Sequence, residues 1–225
     1  MLLAWSKWVA VVGGPQKSSL SMHYAGLCES DTGGDFLHVS LTDARTAGTT
    51  TGWQGAGYTD GRKAKNRMDF DMDGSWGTGN AASNLAHELG HAFGLFHEHQ
   101  RSIAWQSPEN RPYRLLKFTC ENLKDYADQK NAGGDMKTLC TSMTDAKSAG
   151  FSAGEFLPYP GFTAYSQSPN FDWKSIMLYS SYAGAKTVNG QKQPTMVDYN
   201  DVLIQPNLEP SSADADAVRQ IYPPA

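Results

Sequence analysis

The residue pattern predicts an α+β fold. Two segments of alternating polarity, Phe36 to Thr42 and Arg67 to Met72, read as strands, and helical spacing recurs at the start, middle and end of the chain. The 225 residues suffice for one large domain or a two-lobed domain around a cleft. An apolar share of 40% and an aromatic share of 11% allow a packed core without many disulfides.

Met1 to Gly14 reads as an amphipathic helix, with Leu2, Trp5, Val9 and Val12 at helical spacing. Lys7 interrupts it, and no basic residue precedes the apolar part, so it is not read as a secretory leader. The export route then lies outside these residues. Either a leader and propeptide have been cut away, or Met1 sits inside a longer gene. Between the two strands, Thr46 to Gly61 is rich in Gly and Thr and reads as a loop with a short strand around Trp53. A second helix is expected to begin at Asn80 to Ser83, where Asn and Ser are good N-caps, and to run to about Phe93 before Gly94 stops it. From Gln100 to Pro169 helical spacing is expected only over Arg114 to Asp128. Asp172 to Ser180 is apolar and tight. Ser211 to Tyr222 reads as a closing helix, ended by two prolines.

Composition excludes several function classes. A formal charge of -4 and a pI near 5.8 argue against a nucleic-acid-binding surface. No apolar run approaches the roughly 20 residues of a membrane span. Of the three cysteines, Cys120 and Cys140 lie in one polar region and could close a short loop, which leaves Cys28 as the odd one.

The chemistry concentrates in His87-Glu88-Leu89-Gly90-His91-Ala92-Phe93-Gly94-Leu95-Phe96-His97-Glu98. Positions i and i+4 of a helix share a face, so His87 and His91 present imidazoles together, as Zn²⁺ requires. Glu88, one step round, can reach a metal-activated water without ligating the ion. A ligand at i+10 of the same straight helix would face elsewhere. Gly94 permits a sharp turn that brings His97 back, and three protein ligands leave a fourth position open for catalysis. With residues drawn independently, HExxH alone arises on the order of once per hundred such chains, and the full Gly and His spacing roughly once in 10⁵.

This segment, HExxHxxGxxH, resembles the signature of the metzincin metallopeptidases, and Glu98 after the third His resembles the astacin branch. A second match, Asp172-Trp173-Lys174-Ser175-Ile176-Met177-Leu178-Tyr179, is similar to the astacin Met-turn. Leu178 departs from that pattern, where His is frequent, and no Cys follows Ile221-Tyr222. The resemblance implies a two-lobed metzincin-type zincin fold in a single domain, residues 1–225. Residues 1–97 would form an upper lobe with a twisted, mostly parallel sheet and the zinc helix above the cleft. Residues 98–225 would form an irregular lower lobe with the Met-turn and the C-terminal helix. It implies a secreted, monomeric zinc endopeptidase acting on protein or peptide substrates, with one catalytic Zn²⁺ on His87, His91 and His97. Glu88 and Tyr179 would be catalytic, Tyr179 as a zinc ligand at rest that swings out to the tetrahedral intermediate. Met177 would form a hydrophobic base beneath the ion. The family's counterpart of Glu98 sits in a buried network near the mature N-terminus; with this sequence starting inside the first helix, Glu98 is expected instead to pair with Arg101 or to be exposed. Substrates of this family lie along a sheet edge, for which Arg67 to Met72 is the candidate.

Two other classes are weighed against this. Asp69-x-Asp71-x-Asp73-Gly74 looks like half of a calcium loop, but its twelfth position would be Asn80 and not Glu, so a solvated turn is expected. A silent zinc-holding binding protein would have no use for Glu88. His23, His38 and His99 have no ligand spacing and are expected on the surface or satisfied in the core.

Overall fold

The computed structural model describes residues 1–27, 36–44, 47–53, 66–73, 75–105, 114–160 and 170–224. Cys28, Gly74 and most of the Thr46 to Gly61 loop lie outside them.

Helix α1 spans Leu2–Val12 and buries Ala4, Trp8 and Val12, a stripe at i, i+4 and i+8. That differs from the expected face, since Leu2 is 78% and Val9 41% exposed. Trp8 decides the rotation: its indole nitrogen donates to the Ala86 carbonyl at 2.8 Å, and its ring meets Phe93 edge-on at 5.4 Å. Gly13, at φ +86, caps the helix, and Arg219 donates to the Val11 and Val12 carbonyls at 3.0 Å each.

Strands β1 (Leu37–Thr42), β2 (Ala47–Thr49) and β3 (Asn66–Asp71) form a sheet in the order β1-β3-β2. β1 runs parallel to β3 and β2 antiparallel, so the described sheet is mixed. The Arg67 to Met72 segment is therefore the central strand and not an edge. Met68 and Phe70 are buried on one face, as the alternation requires. Among the described residues the edge beside the second helix is β2, centred five residues before Trp53, and the rest of the strand expected around Trp53 lies outside them.

Helix α2, Ala81–Ala92, begins where expected: the Asn80 side chain accepts from the Ser83 amide at 3.0 Å. It is buried on most sides. Trp8, Val12, Met68, Phe70, Leu85, Leu89, Phe93, Ile176, Met177, Ala215 and Val218 form one core around it, so chain ends and Met-turn pack on the same helix.

The remainder consists of short elements around two smaller cores. Within the segment expected as helix, Leu116–Phe118 is a strand paired with Met196–Asp198, and helix appears at Tyr126–Asn131. Local periodicity could not reveal a partner so far along the chain. Cys120 and Cys140 are bridged, with Cα atoms 5.8 Å apart. The closing helix, Ser212–Ile221, starts with a reciprocal capping box of Ser211 and Asp214.

Candidate metal centre

The three histidines converge. Nε2 of His97 lies 3.2 Å from Nε2 of His87 and 3.0 Å from Nε2 of His91. Gly94 makes this possible through its backbone, at φ +100. The Gly94 amide donates to the His91 carbonyl at 2.8 Å and the Leu95 amide to the Gly90 carbonyl at 2.9 Å, the paired bonds of a Schellman cap. A Cβ at Gly94 would meet Ile221 Cδ1 no closer than 3.6 Å, so the dihedral and not crowding demands glycine.

Each ring has its outer nitrogen tied to an oxygen. Nδ1 of His87 donates to the Ile176 carbonyl at 2.8 Å and Nδ1 of His91 to the Leu95 carbonyl at 2.8 Å. Nδ1 of His97 donates to Gln100 Oε1 at 3.2 Å, and the Gln100 amide nitrogen is turned to the Gly154 and Leu157 carbonyls. These acceptors place the hydrogens on Nδ1 and leave three Nε2 lone pairs facing one another. Such an arrangement is repulsive without a cation between the rings. A tetrahedral ion with bonds of ~2.0–2.1 Å sets neighbouring nitrogens about 3.3 Å apart, close to the observed spacing. Burial also holds His91 at about 3 and His97 well below 6.5, so both rings are neutral, the ligating form. The residues fit zinc, and among the described residues they are the group able to hold a metal ion. The acidic turn does not gather: Arg67 holds Asp69 at 2.9 Å, and Asp71 accepts from the Asp73 amide at 2.8 Å.

Glu88 is buried beside the trio, and Oε2 accepts from Thr49 Oγ1 at 2.6 Å. Burial raises its carboxyl above the ordinary value, while His87 and the Thr49 hydroxyl pull the other way. Met177 is 1% exposed, its sulfur against Gly90 between the two helical histidines. The Tyr179 ring lies 4.3 Å from that of His97 and 4.5 Å from that of His99. His99 is fully buried and satisfied, donating from Nε2 to the Glu155 carbonyl at 2.8 Å. Glu98 is buried and paired with Arg101 at 2.6 Å, and it accepts from the Asp172 amide at 2.8 Å. Burial, opposed by Arg101, pushes its carboxyl up to about 7.

Three contributors escaped the sequence reading. Gln100 orients His97, Thr49 touches Glu88, and Asp214 holds the Met-turn. The Asp214 carboxylate accepts from Ser175 Oγ at 2.6 Å and from the Ile176 and Ser211 amides at 2.9 Å each. Ile176 is thus tied through its amide to the C-terminal helix and through its carbonyl to His87. The sequence marks a helix start at Ser211, but neither the capping partner Asp214 nor its hold on the Met-turn is announced by it.

No protein-family model and no curated protein matches this sequence. By structure the chain is similar to high choriolytic enzyme 1, a hatching enzyme zinc-protease from the medaka fish Oryzias latipes. The TM-score is 0.57 at 15% sequence identity, over 98% of this chain and 81% of that one. A structure of myroilysin matches at a TM-score of 0.46 and 18% identity, over 99% of this chain and 88% of that one. The likeness to the hatching enzyme is one of fold: this chain has the α+β fold of a zinc protease and carries a three-histidine cluster.

Proposed function

We propose that this protein is a secreted, monomeric zinc-dependent endopeptidase of the astacin type. Its single domain, residues 1–225, would comprise an upper lobe, 1–97, and a lower lobe, 98–225, flanking the cleft. The observation that carries the reading is the convergence of three Nε2 lone pairs beside a buried carboxylate. His87, His91 and His97 would hold the ion. Zinc, when bound, supplies Lewis acidity, lowering the pKa of water towards ~7 and polarising the scissile carbonyl.

Glu88 acts as general base, taking the attacking water's proton and passing it to the leaving amine. A structural site needs no such group. Tyr179 donates a hydrogen bond to the developing oxyanion; burial raises its hydroxyl pKa, so the donor proton is retained. Met177 packs beneath the site and keeps the Ile176 carbonyl on His87. Glu98, neutralised by Arg101, anchors the chain after the third ligand to the Asp172 turn. The extended substrate would pair with β2, the outermost strand of the described sheet, through main-chain hydrogen bonds.

Metal analysis and casein cleavage by wild type and Glu88→Ala test the proposal. Wild type is expected to hold zinc and cleave internal bonds. Glu88→Ala is expected to keep zinc and lose activity. Full cleavage by Glu88→Ala ends the mechanism, and a metal-free wild type ends the zinc reading. Zinc without cleavage of any tested protein favours a silent binder.

A further inference from the structure

The contact between Thr49 and Glu88 joins residues 39 apart in sequence, and no local pattern announces it. Thr49 is the last residue of β2, opposite Met68 of β3. The chain around it is pinned on two sides. The Thr50 amide donates to the Arg67 carbonyl at 2.8 Å, and the Gly52 amide donates to the His91 carbonyl at 2.8 Å. The first bond fixes the strand end to the sheet, and the second fixes the following residues to the last turn of α2. Thr49 Oγ1 is thereby held 2.6 Å from Glu88 Oε2. Glu88 Oε1 takes no hydrogen bond from the described residues. One carboxylate oxygen is clamped and the other is left for a water.

We propose that Thr49 is a positioning residue for Glu88, coupling the edge strand β2 to the general base. The hydroxyl fixes the carboxylate's rotation, so that Oε1 meets the attacking water at the reacting distance. The same strand lies where an extended peptide would pair, so seating a substrate on β2 also steadies the base. Misplacing a catalytic group by ~1 Å costs on the order of a hundredfold in rate, which sets the scale of the effect. This inference rests on the peptidase reading above.

The test compares Thr49→Val, which keeps the β-branched shape and removes the donor, with Thr49→Ser, which keeps the donor. In zinc-loaded enzyme, Thr49→Val is expected to lower kcat by about 10- to 100-fold, with KM within about twofold and zinc content unchanged. Thr49→Ser is expected to restore most of kcat. A structural lesion in the strand would raise KM as well and would not be rescued by Ser. A second readout needs no activity. In the metal-free protein, Thr49→Val should shift the unfolding equilibrium constant by about tenfold, because a buried carboxyl oxygen loses its hydrogen-bond donor. The same change made in Glu88→Ala, which has no acceptor to leave unpaired, should shift it by no more than about twofold.

Wild-type kcat in Thr49→Val overturns the proposal, as does an equal stability cost in the two backgrounds. A wild type that holds zinc but cleaves nothing overturns the peptidase reading, and the positioning role falls with it. The two failures are told apart by the activity of the wild type.

Discussion

Gly90 sits between the two helical histidines, where helix propensity alone would favour alanine by about 1 kcal/mol. The tertiary structure opposes that gain. A Cβ on Gly90 would lie 2.5 Å from Met177 Sδ and 3.1 Å from Trp8 Cζ2. Neither neighbour has room to withdraw: Met177 is 1% and Trp8 0% exposed. Overpacking a filled core costs about 1–3 kcal/mol, and two clashing neighbours place this case near the upper end. After the propensity gain, Gly90→Ala is expected to destabilise the protein by about 2 kcal/mol, or ~4–8 °C in Tm for a chain of this size. Urea and thermal unfolding with a chelator present would measure it free of metal linkage. Met177→Ala leaves space that the new methyl can fill, so in that background Gly90→Ala should become neutral or stabilising. A Gly90→Ala protein more stable than wild type would refute the packing argument. So would a cost that Met177→Ala leaves unchanged.

Two further outcomes follow from the surroundings of the site. Asp214→Asn weakens the hold on the Ser175-Ile176 turn that orients His87, and zinc affinity is expected to fall ~10- to 100-fold. Competition with a calibrated chelator would measure this, and unchanged affinity would count against the network. Burial holds His91 and His99 at about 3, against 6.5 when unfolded. The unfolded chain therefore binds more protons between those values, and stability of the metal-free protein falls as pH drops below 6.5. Each ring contributes a slope of up to about 1.4 kcal/mol per pH unit, spent by the time pH reaches 3. His99→Gln should remove one ring's share of that slope in an acid titration followed by circular dichroism. A slope identical to wild type would contradict the assignment of buried, neutral His99.

Much of the candidate site was legible because its geometry is local. The i, i+4 spacing of His87 and His91, the N-cap at Asn80 and the left-handed turn at Gly94 depend on backbone rules that act within a few residues. Ser211 marks its helix start for the same reason. The face of α1 is not legible in the same way: Leu2, Trp5 and Val9 share a helical stripe with Val12, yet Trp8 has the deeper pocket and an acceptor at Ala86.

What the sequence by itself determined was the donor set, its order along the chain, and a turn able to bring the third imidazole back. Only the tertiary structure decided how those groups are aimed. It put β3 in the middle of the described sheet and β2 on its outer side, because strand order depends on pairings that periodicity does not encode. It tied the imidazoles to the Ile176 carbonyl, the Leu95 carbonyl and Gln100, Glu98 to Arg101, and Glu88 to Thr49. Residue type and spacing specify which atoms can bind a cation. The hydrogen bonds that leave three lone pairs facing one point come in part from distant segments, and only folding brings those together.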